Sequence, residues 1–255
     1  MIDALYIATS GLKSQQTQID ALSNNISNMQ TPGFKSRRVA FGDIATISPA
    51  QVAAGLSPES SGAGSEILST SAVFSQGQMI QTNNTWDIGI QGEGFLEIAD
   101  ANSNRLYTRA GQLHVDSEGY LSTAEGNRLA QNIQIPPDAS HVQINQSGQI
   151  YATVGSSTAR TLLGAIELST FPSPDGLQSV GGNNFVPTQA SGDASVGKPN
   201  ENGVGTILQG SLEGSNVDMV SEMSALVIAQ RAYQLNARVL QASDQILDTI
   251  NNLRQ

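Results

Sequence analysis

The sequence predicts an α+β protein. Two long helices at the chain ends form a coiled-coil domain, an all-β domain is inserted between them, and an extended arm connects the two. Three observations carry this reading. Apolar residues recur every seventh position at both chain ends. Alternating apolar and polar runs, broken by glycine and asparagine turns, fill the middle. A stretch rich in Ala, Ser, Gly and Pro precedes those runs. The boundaries are 1–30 and 215–255 for the terminal helices, 31–75 for the arm and 76–214 for the β domain.

The first helix rests on Leu5, Leu12, Ile19 and Ile26, seven apart. Met1, Ala8, Gln15, Leu22 and Met29 form a second series beside them, with Gln15 its one polar member. Together they make a stripe of the coiled-coil type. At 1.5 Å per residue the helix is about 40 Å long. It runs out in "DALSNNISNMQTPGFKSRR", residues 20–38. Asn24, Asn25 and Asn28 crowd its end, although asparagine competes for the backbone's own hydrogen bonds. Pro32 pushes Thr31 out of the helical region and Gly33 permits a turn. Lys35, Arg37 and Arg38 read as a solvated helix exit rather than a binding patch.

Residues 43–75 read as a linker or extended arm. From residue 76 the pattern is β: "WDIGIQGEGFLEIA", "LYTRAGQLHVDSEGYLST", "HVQINQSGQIYATV" and "TLLGAIELSTF". The last helix carries Met219, Leu226, Tyr233, Leu240 and Leu247, with Ala225, Ala232, Val239, Ile246 and Leu253 alongside. Ser215-Asn216 supplies its N-cap. With Leu5, Leu12, Ile19, Leu22 and Ile26, the first of these series is the expected coiled-coil seam.

Composition excludes several classes of function. The chain has 255 residues, no cysteine and only 13% charged residues, with a net charge of −10. Residues 1–40 carry a surplus of two positive charges, so the acidity lies downstream. Nucleic-acid binding needs clustered Lys and Arg and is not expected. Disulfides and thiolate chemistry are absent. His114 and His141 stand apart from each other and from any thiol, so no metal is expected. No Gly-x-Ser-x-Gly elbow occurs. Gly92-Glu93-Gly94 lacks the third glycine and helix of a dinucleotide site and reads as a tight β-turn. Asp116 with Glu118, and Glu97 with Asp100, read as turn acids. Trp86 is expected in or near the β core. No enzyme activity and no cofactor are expected. "MIDALYIATSGLKSQQ" lacks the basic and apolar regions of a secretory signal, and no run of about 18 apolar residues spans a membrane.

Three regions resemble one family, the bacterial flagellar basal-body rod and hook proteins. "LSNNISNMQTPGFK" is similar to its N-terminal signature, with Asn24, Asn25, Ile26, Asn28, Pro32, Gly33 and Phe34 in the signature stretch. "LEGSNVDMVSEMSALVIAQRAYQLNARVLQASDQIL" resembles its closing helix, through Glu213, Gly214, Ser215, Asn216, Val217, Gln230, Arg231 and Ala232. "QTNNTWDIGIQGEGFLEI", "YTRAGQLHVDSEGYL" and "GLQSVGGNNFVPTQASG" resemble its β domain. Length and middle segments fit the distal-rod branch best. The 43–75 arm is shorter and richer in Ala and Ser than that branch implies, which keeps an outer proximal rod subunit or a lateral-flagellum paralogue as alternatives. A β-rich surface adhesin is a more remote one, since it needs no seven-spaced helices.

The resemblance implies a structural subunit that polymerises helically into a hollow drive shaft. That shaft carries torque from motor to hook and lets exported subunits pass. The implied partners are other copies of the chain, proximal rod subunits, hook or hook-like axial proteins, the periplasmic and outer-membrane rings, and the type III export apparatus. The implied location is the basal body across the periplasm, reached without a cleaved signal peptide. The asparagines are then expected where the helix end meets other subunits, because an amide donates and accepts without burying charge. Phe34 is expected to anchor the helix exit.

Overall fold

The computed structural model describes residues 2–47, 60–100, 102, 104–155 and 159–253. Met1, segment 48–59 of the arm, and the side chains of Leu247 and Leu253 lie outside the described part. The chain divides into two compact units, one of residues 1–27, 37–71 and 218–255, the other of 28–36 and 72–217.

The first unit holds both terminal helices, α1 (Ile2–Ser27) and α2 (Met219–Leu253). They pack on each other. A Cβ on Gly11 would stand 2.9 Å from Asn236 Nδ2, so a bare glycine lets the helices approach there. Leu22 and Ala229 are buried, while Leu5, Leu12, Ile19, Ile26, Leu226 and Leu240 are half-buried. Met219 and Tyr233 are exposed. The same unit contains β1 (Arg37–Ile47) and β2 (Ser60–Ala72), which pair as a two-stranded sheet. Within the segment read as an arm, residues 37–47 and 60–72 are therefore paired strands. A two-stranded sheet is marginal alone, and this one is seated on α1. Ser65 N–H donates to Ser10 Oγ at 3.3 Å, Ser65 Oγ donates to Ser14 Oγ at 3.1 Å, and Ser14 Oγ donates to Ser65 O at 3.3 Å. Gly64 is required here, because a Cβ would meet Ser10 Oγ at 2.2 Å.

The second unit is built of β-strands, with a short 3-10 helix at Pro174–Gly176. Its strands are β3 (Met79–Gln81), β4 (Ile88–Gln91), β5 (Phe95–Ala99), β6 (Arg105–Thr108), β7 (Leu113–Val115), β8 (Leu121–Thr123) and β9 (Arg128–Leu129). They are followed by β10 (Ala139–Ile144), β11 (Gln149–Val154), β12 (Arg160–Ala165), β13 (Leu168–Thr170), β14 (Gln178–Gly181) and β15 (Asn184–Val186). β16 (Ser195–Gly197), β17 (Thr206–Gln209) and β18 (Ser211–Glu213) close it. The largest sheet runs β14-β15-β6-β5-β9-β8-β7, with β13 joining β5 to β16. β10-β11-β12 form a second sheet, and β17 pairs with β4 and β18 with β3.

β5 is the hub. It pairs with β6 along Leu96–Ala99, and its other edge is shared by β13 and β9. It alternates between two cores, as a strand's period of two requires. Leu96 and Ile98 join Ile88, Ile90, Ile150 and Leu168 in an aliphatic core, with Trp86 packed at its margin. Phe95 faces an aromatic cluster with Tyr107, Phe171 and Phe185. Its edge-on ring pairs include Phe95–Phe171 at 5.6 Å and Tyr107–Phe171 at 4.9 Å between centroids, a geometry the ring quadrupoles favour.

Candidate functional site

Asn25 is 1% exposed, the most buried of the three signature asparagines. Its Oδ1 accepts Arg37 N–H at 2.8 Å and its Nδ2 donates to Arg37 O at 3.0 Å. The amide thus pairs with both backbone groups of one residue, as a neighbouring strand would. A second Nδ2 bond reaches Glu222 Oε2 on α2 at 3.2 Å. Only a side chain with both a donor and an acceptor can do this. The amide expected to meet other subunits is engaged inside its own chain. Asn24 is exposed on α1 and Ile26 is half-buried.

In the β unit the signature continues as a turn. Thr31 N–H donates to Asn28 O at 3.1 Å, and Thr31 Oγ1 donates to Asn28 Oδ1 at 3.2 Å. Pro32 O accepts Asn183 Nδ2 at 3.2 Å. Gly33 has φ +71°, and its N–H donates to Glu213 O at 2.7 Å. A Cβ there would lie 2.7 Å from Ala110 N, so conformation and space both demand glycine. Phe34 is buried.

The C-terminal motif meets this turn within the β unit. Asn216 Oδ1 accepts Ser36 N–H at 2.7 Å, and its Nδ2 donates to Val73 O at 2.7 Å and to Ser75 Oγ at 2.9 Å. Gly214 N–H donates to Gln78 O at 2.8 Å. Glu213 is fully buried beside two cations. Lys35 Nζ lies 2.7 Å from its Oε1, and Arg109 Nη1 lies 3.2 Å from its Oε2. Gly77 N–H also donates to Oε1, at 2.9 Å, and Lys35 Nζ donates to Ser75 O at 2.8 Å. Burial pushes the Lys35 ammonium below its usual range, against the pull of the Glu213 carboxylate. Burial likewise lowers Arg109, with Glu213 and Glu93 opposing.

Two expectations are corrected here. Lys35 is not part of a solvated exit; its side chain is fully buried against Glu213, whereas Arg37 and Arg38 are exposed. Ser215-Asn216 does not cap the last helix, because the Asn216 amide is held by Ser36, Val73 and Ser75. Asp218 caps α2 instead, accepting N–H groups of Val220 at 3.4 Å and Ser221 at 3.3 Å and the Ser221 hydroxyl. Ser215 Oγ accepts the Val217 N–H at 3.3 Å, and Val217 is half-buried. Gln230 and Arg231 are exposed on α2, and Ala232 is half-buried.

Asp116 and Glu118 have structural partners in their turn, whereas Glu97, read as a turn acid, is buried within β5. Asp116 Oδ1 accepts the N–H groups of Glu118 and Tyr120 at 2.8 Å each, and Arg128 bridges Asp116 and Glu118. Ser122 Oγ lies 3.2 Å from His114 Nε2, but Ser122 is buried and offers no open nucleophile. Among the described residues no group of three or more His, Cys, Asp or Glu could hold a metal ion. No described helix is long and apolar enough to cross a membrane.

One feature of α2 escaped the sequence reading as a set. Ile228, Leu235, Val239 and Ile246 lie on one side of the helix and are all exposed, Leu235 by 60%. The pairs 228/235 and 239/246 are seven apart, so the signal was present. Val239 and Ile246 belong to the series beside the seam, and the structure exposes them together with Ile228 and Leu235, which neither series contains.

Three family models match the chain in order. Residues 5–35 match the model described as flagella basal body rod protein. Residues 89–152 match the flagellar hook protein FlgE/F/G D1 domain. Residues 208–253 match the flagellar basal body rod FlgEFG protein C-terminal. The flagellar basal-body rod protein FlgG of Borreliella burgdorferi is 37% identical, over 100% of both chains. That of Agrobacterium fabrum is 35% identical, over 97% of this chain and 98% of its own. The Bacillus subtilis FlgG is 34% identical, over 100% of both chains.

Proposed function

The chain belongs to the family of flagellar basal-body rod proteins and is a structural subunit of the distal rod, and on that premise we propose that many copies stack helically into a hollow drive shaft. This family is a structural one, not an enzyme family. The terminal helices line the shaft as a coiled-coil layer, and the seam residues from Leu5 to Ile26 and Met219 to Leu247 pack within and between subunits. The shaft meets proximal rod subunits at one end and hook or hook-like axial proteins at the other. Rings surround it, and subunits from the type III export apparatus pass along its lumen across the periplasm.

The observation that carries this reading is the exposed stripe of α2. Ile228, Leu235, Val239 and Ile246 stand in water along one side of a 35-residue helix. Such a continuous apolar surface marks an interaction site. Helix-on-helix packing between copies covers it with the same chemistry that already joins α1 to α2. Stiffness then arises from many parallel contacts, none of them individually strong.

Electron microscopy of basal bodies from a strain lacking this gene tests the assignment. Loss of the outer rod with the proximal rod intact is the expected result. A break nearer the membrane would assign the chain to the proximal rod, and complete normal rods would overturn the role.

A further inference from the structure

The chain passes between its two units four times, after Ser27, Ser36, Ser71 and Val217. Single-chain links act as flexible joints unless something ties them. In each unit one asparagine amide ties three of these crossings together. Asn216 does so in the β unit. Val73 N–H donates to Ser36 O at 2.8 Å. Asn216 Oδ1 then accepts Ser36 N–H at 2.7 Å, and its Nδ2 donates to Val73 O at 2.7 Å. Ser36, Val73 and Asn216 each stand within two positions of a crossing. Nearby residues of the same segments are held as well. Lys35 Nζ bridges Ser75 O and Glu213 Oε1, and Gly77 N–H donates to Glu213 Oε1.

Asn25 is the counterpart in the first unit. It stands two residues before the crossing after Ser27. Its amide pairs with both backbone groups of Arg37, the first residue beyond the next crossing. It also reaches Glu222 in the first turn of α2, which opens just after the last crossing. The peptide group joining Ser36 to Arg37 is where the two ties meet. A peptide group is a stiff plane. Its carbonyl oxygen, on Ser36, accepts Val73 N–H within the β unit. Its N–H, on Arg37, donates to Asn25 Oδ1 at 2.8 Å within the first unit. One rigid plate is therefore gripped through both of its polar atoms, one by each unit.

We propose that Asn25 and Asn216 are positioning residues that couple the two units through the Ser36–Arg37 peptide, so that the two ties open as one. A plate released on one side can turn, and turning misaligns the bond on its other side, because hydrogen bonds weaken steeply off line. Hydrogen bonds that share ordered groups are not independent. The coupling is a property of the single chain and stands apart from the rod reading. Only its use rests on that reading: in a shaft, load taken by one unit passes to the other through tied backbone rather than through loose links.

The test uses the full-length monomer and trypsin at low concentration, so that cleavage follows the population of the opened backbone. Arg37 and Arg38 are exposed and lie at the coupled peptide, so cleavage after them reports its opening. Cleavage after Arg128, where β9 pairs with β5 and β8, reports the β unit itself. Asn25→Ala and Asn216→Ala should each speed cleavage after Arg37 and Arg38 by roughly fivefold or more, with cleavage after Arg128 unchanged. The double variant should stay within about threefold of the faster single variant, since a tie already opened cannot be opened twice. Asn145→Ala, which removes an amide of the β10–β11 turn, should leave Arg37 and Arg38 as in wild type. Rates that multiply in the double variant overturn the coupling, as does an unchanged rate in either single variant. An equal effect of Asn145→Ala, or faster cleavage after Arg128 in Asn216→Ala, reduces Asn216 to a fold residue of the β unit and overturns its positioning role. Should a variant fail to fold, amide exchange of the wild type decides: the Ser36, Arg37 and Val73 N–H groups should share one protection factor, and values more than about tenfold apart overturn the proposal.

Discussion

Lys35 Nζ lies 2.7 Å from Glu213 Oε1, and neither side chain has exposed surface. The two residues are 178 positions apart in sequence. Removing one partner of a buried pair leaves an uncompensated charge, at a cost of about 3–5 kcal/mol. Glu213→Gln strands two cations, whereas Lys35→Met leaves Glu213 with Arg109 and the Gly77 N–H. Urea unfolding should therefore show Glu213→Gln lowering the midpoint of the β unit well below that of Lys35→Met. The reverse order would mean that the triad is held by packing rather than by charge.

Asn25 makes a second prediction. Asn25→Ala removes three hydrogen bonds and leaves the Arg37 backbone groups without them, which should destabilise the first unit by about 1–3 kcal/mol. Asn25→Asp is nearly isosteric but sets a carboxylate against Arg37 O and Glu222 Oε2. Glu222→Gln should partly rescue Asn25→Asp and should not rescue Asn25→Ala. A double-mutant cycle read by thermal unfolding checks this. Equal rescue of both would show that the Asn25–Glu222 contact carries no energy.

These two residues mark what the sequence made legible. Periodicity announced both terminal helices, and alternation with glycine turns announced the β-rich middle, because both depend on neighbours within one or two turns of chain. The stop at Pro32-Gly33 was local too. The partners of Asn25 and Lys35 were not, since Glu222 and Glu213 reach them only through the fold. Residues 43–75 hid a strand pairing because their Ala/Ser/Gly composition carries little alternation. That pairing depends on β1, β2 and the serines of α1 together. The helix cap was placed three residues early at Ser215, because Asn216 looks like a cap until its amide is seen to be occupied.

Gly33 separates conformational strain from lack of space. Its φ is +71° and a Cβ would meet the Ala110 backbone at 2.7 Å. Gly126 has φ +87° with nothing within 4 Å of a Cβ. Gly126→Ala should cost only the strain of a left-handed residue, about 1 kcal/mol. Gly33→Ala should cost clearly more, because backbone cannot move aside as a flexible side chain can. Chemical denaturation of the two variants gives the comparison, and equal costs would mean that the Gly33–Ala110 approach relaxes freely.

Asp218 gives α2 a pH dependence. The Ser221 hydroxyl, then the Ser221 and Val220 N–H groups, hold its carboxyl below the usual 3.8. A lowered folded value favours the folded cap above the unfolded pKa, and that contribution fades as pH falls through the folded value. Amide exchange at Val220 and Ser221, corrected for its intrinsic pH dependence, should therefore rise as pH drops below about 3.8. Asp218→Asn can still accept these bonds and should remove most of that dependence. An unchanged pH profile in Asp218→Asn would place its origin elsewhere.

The outer stripe of α2 separates folding from assembly. Leu235 is 60% exposed, so Leu235→Asp removes little buried surface and should leave monomer unfolding within about 0.5 kcal/mol of wild type. If neighbouring copies cover the stripe, the same substitution places an unpaired charge in every contact and should stop elongation. Ile19→Asp and Leu226→Asp strike half-buried positions on the packed helices. They should weaken the first unit and block elongation while the β unit stays folded. Light scattering with electron microscopy of the purified variants reads elongation, and circular dichroism reads folding. A Leu235→Asp protein that elongates like wild type would leave the stripe uncovered in the polymer, and the shaft would then have to be held by other surfaces.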